Sequence, residues 1–198
     1  MLEDPHEFGL NKELRTIYLH HLGGENSINW QTSSRLIKNM DILEADNKRM
    51  ITIKMIASDG GDLCDGLAMY SAIKNSPCKV HIIGYGGICS AATIIMQAAH
   101  KRSLMKESEF MFHHGSVWLE QSSLAARSTI QSNTRHNKMM LNIYAERCKD
   151  GPFFVERKYS LSRIKTYLEN KMRSEGDVFI TAQEAVDMGF ADEVIGRN

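Results

Sequence analysis

Lys79-Val80-His81-Ile82-Ile83-Gly84-Tyr85-Gly86-Gly87-Ile88-Cys89-Ser90-Ala91-Ala92 decides how the rest of the chain is read. A short run rich in β-branched residues passes through a glycine-rich stretch into small residues at helical spacing. That order predicts a strand over residues 79–83, a turn over 84–87 and a helix over 90–99 that starts at the serine. The same device stands one step earlier. Residues 50–56 read as a strand, Ser58-Asp59-Gly60-Gly61-Asp62 as a turn, and 63–73, with apolar residues at helical spacing, as a helix. Strand, glycine turn and helix twice in succession are the mark of crossover units, so the expected fold class is α/β.

The flanks extend the pattern. Thr16-Ile17-Tyr18-Leu19 reads as a first strand, and after the loop Gly23-Gly24-Glu25-Asn26 a helix is expected over 32–45, with Leu36, Ile37, Met40 and Leu43 on one face. Downstream, Phe110-Met111-Phe112-His113 reads as a strand. Residues 119–148, carrying Leu124, Ile130, Met140, Leu141 and Tyr144, read as one extended helix whose length suggests that it projects. Residues 150–175 are charged. Thr181-Ala182-Gln183-Glu184 fits the capping box and opens a short helix that Gly189 closes, and a last strand is expected at 193–195.

Composition narrows the class. With 198 residues, 42% hydrophobic and 24% charged, one globular domain spanning 1–198 is expected. Lysine plus arginine number 24 and aspartate plus glutamate 24, so no net field favours nucleic acid or an anionic membrane. Cys64, Cys78, Cys89 and Cys148 have no zinc-type spacing and are too few for a disulfide scaffold, which fits a reducing cytoplasm. The first eleven residues hold Glu3, Asp4 and Glu7 without a signal-type apolar core, and no apolar run approaches membrane-spanning length.

Four positions offer chemistry. Ser90 stands where a strand enters a helix, so its own amide and that of Ala91 belong to the first-turn donors without intrahelical partners, a setting that suits an oxyanion. Gly60-Gly61 offers a backbone amide that no side chain would obstruct. Alternation puts Met111 and His113 on one strand face and Phe112 and His114 on the other, and periodicity does not choose between the two histidines. Asp177 precedes Val178-Phe179-Ile180, with Asp150, Asp187 and Asp192 as equal contenders by position. Each feature alone has a plainer reading: a helix cap, a connecting turn, a structural histidine, a solvated carboxylate.

Taken together, several stretches resemble the proteolytic subunit of the Clp protease family. Ile56-Ala57-Ser58-Asp59-Gly60-Gly61 is similar to its oxyanion strand, followed by Gly66-Leu67-Ala68-Met69-Tyr70 in the next helix. Gly84 to Ala92 resembles its nucleophile turn, Phe110-Met111-Phe112-His113-His114 its base strand, and Asn142-Ile143-Tyr144-Ala145-Glu146 the end of its handle helix. Asp177 to Ala185 and Gly189 to Val194 resemble the triad aspartate with the closing helix and strand, so the likeness runs in order over most of 15–195.

The resemblance implies a crotonase-like (ClpP-like) spiral of β-β-α units with a long projecting handle helix, the handle at about 115–150 and an atypical insertion at about 150–170. It implies a serine endopeptidase with Ser90 as nucleophile, His113 as base, Asp177 orienting the base, and the amides of Gly61 and Ala91 as oxyanion hole. No metal or organic cofactor is expected. Homo-oligomeric rings, heptameric and either single or stacked, would enclose the sites and admit unfolded polypeptides or short peptides, with a AAA+ ATPase as a candidate partner. The chain departs from the family pattern at Asp59 (usually proline), at Gly176 (usually arginine), at Gly115-Ser116-Val117-Trp118 (no glycine pair) and in the longer 150–169 segment. Little chain precedes the first strand for an axial loop. A non-catalytic ring subunit and a crotonase-type acyl-CoA enzyme are the competing readings. Within the peptidase reading, general degradation and dedicated processing, for example of a viral capsid, both stay open.

Overall fold

The computed structural model of the chain describes residues 9–19, 28–115 and 122–196. The loop expected at 23–26, the departure at 116–118 and the start of the long helix expected from 119 lie outside the described residues.

Strands β1 (Leu10–Asn11) and β2 (Thr16–Leu19) are followed by helix α1 (Trp30–Asp46) and strand β3 (Ile51–Ser58). Helix α2 (Leu63–Lys74), strand β4 (Val80–Cys89) and helix α3 (Ala91–Met96) come next. Strands β5 (Lys101–Met105) and β6 (Glu109–Phe112) lead to the long helix α4 (Ser123–Cys148). The chain closes with α5 (Pro152–Glu156), α6 (Leu161–Glu175), β7 (Val178–Thr181), α7 (Ala182–Asp187) and β8 (Glu193–Ile195). Asn29 caps α1 in a reciprocal box with Thr32, and Thr181 caps α7 in the expected one with Glu184.

The sheet runs β1-β2-β3-β4-β5-β8, with β2 through β5 and β8 parallel along that path. Strand β4 takes part twice. Its first half, His81 to Gly84, pairs with Lys101 to Leu104 of β5, and its second half, Gly87 to Cys89, pairs with Glu109 to Met111 of β6, which in turn pairs antiparallel with β7. The change of partner is built by a bulge. Ile56 faces Tyr85 and Ser58 faces Ile88, so Ala57 alone stands against Gly86 and Gly87. Ala57 and Gly86 both take positive φ, at 42° and 70°, and the strand bends between them. This bend turns a flat α/β sheet into a spiral.

The sequence reading is corrected here in four places. The glycines at 84–87 lie inside β4 instead of forming a turn after it, because edge pairing to β6 continues the ladder. The helix expected at 90–99 is only Ala91–Met96, with Ser90 as its N-cap. Strand β5 was not anticipated, because Lys101 and Arg102 open it and break the apolar alternation. The charged segment 150–175 folds as α5 and α6. In α6, Ile164, Leu168 and Met172 at four-residue spacing are buried beneath a polar outer face. Phe153, Phe154, Tyr159 and Tyr167 pack together, with Phe154 fully buried.

One hydrophobic cluster joins these elements, running from Leu10 and Ile17 through Ile51, Ile53, Val80 and Ile82 to Phe190. Alternate residues of β3 are buried, as a sheet with one face on the core and the other partly open requires, and all six residues of α3 are buried. From α4, Met140, Tyr144 and Cys148 enter the core at four-residue spacing, while Leu124 and Ile130 are exposed. The helix is therefore docked by its C-terminal half.

Candidate active site

Ser90 is carried at the point where β4 ends and α3 begins, with φ 54° and ψ −124°. A non-glycine residue held there stores about 1–3 kcal/mol of backbone strain, which persists only where the surroundings over-determine it. They do so here. The Ser90 N–H donates to the Met111 carbonyl at 2.8 Å, and the Ser90 carbonyl accepts from Thr93 N at 3.0 Å and from Thr93 Oγ1 at 2.5 Å. Because the single Thr93 hydroxyl hydrogen is committed to Ser90, the Tyr144 hydroxyl, 2.6 Å from Thr93 Oγ1, is the donor of that contact. Tyr144 is fully buried, and burial pushes its hydroxyl well above the ordinary range, so the donor stays protonated. The Ser90 amide, counted among free donors from sequence, is thus already used.

The turn at Gly60-Gly61 backs directly onto this elbow. A methyl group at Gly60 would lie 2.5 Å from Ser90 Cβ and 3.1 Å from the Ala91 amide nitrogen. Gly60 and Gly61 take φ of 96° and 142°, open to glycine and strained for other residues. The turn is pinned from outside: Ile28 N–H donates to Gly60 O at 2.6 Å and Asp62 N–H to Ile28 O at 2.8 Å. Asp62 then caps α2 by accepting from Asp65 N. Asp59, beside this turn, is exposed.

Strand register brings the other two groups in. Cys89 of β4 is in register with Met111 of β6, and β6 runs against β7 with Phe112 opposite Val178. One step further along both ladders, Ser90, His113 and Asp177 stand at adjoining strand ends. His113 Nε2 lies 2.7 Å from Ser90 Oγ, and His113 Nδ1 lies 2.9 Å from Asp177 Oδ1. A carboxylate accepts only, so Nδ1 carries the hydrogen and Nε2 is left to accept the serine proton. Of the two neighbouring histidines, His113 is the one that lies between Ser90 and Asp177. Of the other carboxylates, Asp192 binds Arg102 and Asp187 binds Gln183, while Asp150 lines a separate cleft with Arg147 and Lys149.

Ser90 and His113 open onto a cavity of about 430 Å³, floored by Ala91, Ile94 and Met140. One wall is a stripe of α4: Thr129, Ser132, Asn133 and His136. The sequence reading assigned that helix to projection alone. The polar stripe at positions i, i+3, i+4 and i+7 was the signal that it also faces a site. Cys89 is no rival nucleophile: burial, and then the carboxylates of Asp59, Glu109 and Asp177, raise its thiol and keep it protonated. Among the described residues no cluster of three or more metal-ligating side chains occurs, and no helix is long and apolar enough to cross a membrane.

A mostly parallel sheet bent at the β3–β4 bulge defines an α/β protein of the crotonase-like spiral fold, and Ser90, His113 and Asp177 stand in line at its strand ends. The chain belongs to the Clp protease family, whose sequence profile matches residues 14–198, and this places it among the peptidases. It is 28% identical over 182 residues to the ATP-dependent Clp protease proteolytic subunit 2 of Mycolicibacterium paratuberculosis, covering 89% of this chain and 81% of that one. It is 27% identical over 156 residues to the subunit of the same name from Chlamydia pneumoniae, covering 78% and 69%. Among solved structures, a ClpP1 mutant from Listeria monocytogenes superposes with a TM-score of 0.74 at 22% identity, covering 93% of each chain.

Proposed function

We propose that this chain is a serine endopeptidase of the Clp proteolytic-subunit type, acting as a single domain on unfolded polypeptides or peptides. The observation that carries the reading is the hydrogen-bonded line from Ser90 Oγ through His113 to Asp177, with contacts of 2.7 and 2.9 Å. Ser90 attacks the peptide carbonyl while His113 Nε2 takes its proton. His113 then returns that proton to the leaving amine, and the acyl-enzyme is hydrolysed by water through the same base. Asp177 keeps the imidazole in the Nδ1–H tautomer and stabilises the imidazolium. The amides of Gly61 and Ala91, on either side of the elbow, serve as the oxyanion hole, where each donor supplies about 3–4 kcal/mol in the transition state.

Kinship with proteolytic subunits supports assembly into homo-oligomeric heptameric rings, single or stacked, that enclose the sites in the cytoplasm and receive substrate from a AAA+ ATPase. A non-catalytic ring subunit has no need of an aligned serine, imidazole and carboxylate. A crotonase-type acyl-CoA enzyme would use the paired amides and leave that line idle.

The test is labelling with a fluorophosphonate probe together with peptide hydrolysis. Both are expected in the wild type, both lost in Ser90→Ala and both retained in Ser174→Ala, whose serine lies on the exposed end of α6. Light scattering should show activity following the assembled fraction. Labelling that survives Ser90→Ala sinks the serine assignment, and an active monomer sinks the chamber.

A further inference from the structure

Beyond His113 the chain leaves β6 and meets α4 through two asparagines one helical turn apart. Asn137 Oδ1 accepts the N–H of Gly115 at 2.9 Å, and Asn133 Nδ2 donates to the Gly115 carbonyl at 3.0 Å. Both backbone groups of one residue are thus satisfied by side chains of a single helix, as a neighbouring strand would satisfy them. The packing is tight, since a methyl at Gly115 would lie 3.3 Å from the Oδ1 atoms of both Asn133 and Asn137. The opposite needs of the two Gly115 groups fix which end of each amide faces it: an oxygen at 137, a nitrogen at 133. The last β6–β7 pair is Phe112 with Val178, so His113 stands at the end of its ladder with the clamped residue two positions on. Asn133 and Gly115 line the same cavity as Ser90 and His113.

We propose that Asn133 and Asn137 are positioning residues for the base: their amides clamp Gly115 to α4 and hold the end of β6 so that His113 stays in line between Ser90 and Asp177. The inference rests on the peptidase reading. Without the clamp the chain just past the last β6–β7 pair loses both hydrogen bonds of Gly115, two residues beyond the imidazole, and small displacements of a base are costly in rate.

Asn133→Asp and Asn137→Asp form the test, because both add one negative charge at nearly the same place. Asp at 137 still presents an oxygen to the Gly115 N–H. Asp at 133 removes a donor and sets an oxygen against the Gly115 carbonyl. N137D is expected to keep kcat within about twofold, whereas N133D loses about tenfold or more in kcat with KM little changed, the scale of one hydrogen bond turned repulsive. The acid limb of the kcat profile should shift in N133D beyond any shift in N137D. If N133D does not fold, N133A is expected to show a smaller loss in the same direction. Equal losses in the two Asp variants, or none in either, overturn the proposal.

A second readout needs no turnover. Amide exchange across 110–115 in the assembled protein should be slow at Gly115 and become fast in N137A, and an unchanged rate overturns the clamp. A wild type that fails to label with fluorophosphonate but shows this change sinks the peptidase reading and leaves the clamp standing.

Discussion

Around Ser90 the contacts come from inside the molecule, with the Met111 carbonyl on one side and Thr93 on the other, Thr93 itself held by the buried Tyr144. Asp177 is held differently. Its side chain is 57% exposed, it follows Gly176 at the end of α6, and strand register together with its contact to His113 sets its place. The serine end shares its supports with the hydrophobic core, so disturbing it should change stability and activity together. The carboxylate end should yield activity changes with the fold intact.

The largest effect expected at the serine end is that of Gly60→Ala. The added methyl meets Ser90 Cβ at 2.5 Å in a backbone conformation with φ of 96°. Relief requires moving the elbow or the Ile28-pinned turn, and the methyl itself lies 3.1 Å from the Ala91 amide nitrogen, in the space before that donor. Fluorophosphonate labelling and peptide hydrolysis should fall below detection, with a lowered melting temperature. A stable, fully labelled Gly60→Ala protein would break the comparison at its stronger end.

Asp177→Asn comes next and is the clean test of the carboxylate end. The amide can offer a hydrogen to His113 Nδ1 and thereby favour the tautomer that cannot accept the serine proton, so kcat/KM should drop by about 10²–10⁴-fold. Because the side chain is largely in water, the melting temperature should stay within about 2 °C of wild type, as for surface substitutions generally. A large loss of stability would show that Asp177 is a structural support like Tyr144, and the contrast between the two ends would fail.

How far this division could be read from sequence depends on the range of the forces involved. Repeated strand-glycine-helix units made the α/β class legible, and the capping box at Thr181 and Glu184 was readable because its parts are three residues apart. The bend in β4 was not, because it arises from a bulge against Ala57, about thirty residues away, and glycines locally read as a turn. Ser90 was legible as an elbow from its neighbours. The choice of His113 over His114 and of Asp177 over three other aspartates needed the registers of β4 with β6 and of β6 with β7. Resemblance supplied those assignments; local periodicity carries no such long-range register. The contributions of Tyr144, Asn133 and Asn137 were hidden because α4 meets the site only after the chain has folded back on itself.

Tyr144→Phe sharpens the comparison from the core side with a smaller effect. It leaves the ring among Phe112 and Phe190 and removes only the hydroxyl that serves Thr93. Losing a buried hydrogen bond and leaving one acceptor unsatisfied costs about 1–3 kcal/mol. Stability and kcat should decline together, the latter severalfold as the Ser90 carbonyl loosens. Chemical unfolding and steady-state kinetics on the same preparation decide the matter. A drop in kcat at unchanged stability would place Tyr144 with Asp177 and erase the distinction.

The smallest effect separates acid loss of stability from acid loss of the base. His81 lies on β4, the strand that leads to Ser90, with Nε2 2.8 Å from Ser103 Oγ, which itself donates to Glu193. Burial, helped by the Lys101 charge and opposed by Glu193 and Asp192, lowers its pKa below the ordinary 6.5. The folded chain therefore favours the neutral ring, and the unfolded chain takes up a proton first as the pH falls. Stability linked to His81 is full above about pH 6.5 and declines as the pH drops through the lower folded value. His81→Gln keeps a neutral donor for Ser103 and should flatten that decline in melting temperature between about pH 7 and pH 5, while the acid limb of kcat/KM stays where it was. Parallel melting curves for the two proteins would remove His81 from the account. A displaced activity limb would show that the two halves of β4 are coupled and that the serine end reaches further into the sheet than its hydrogen bonds indicate.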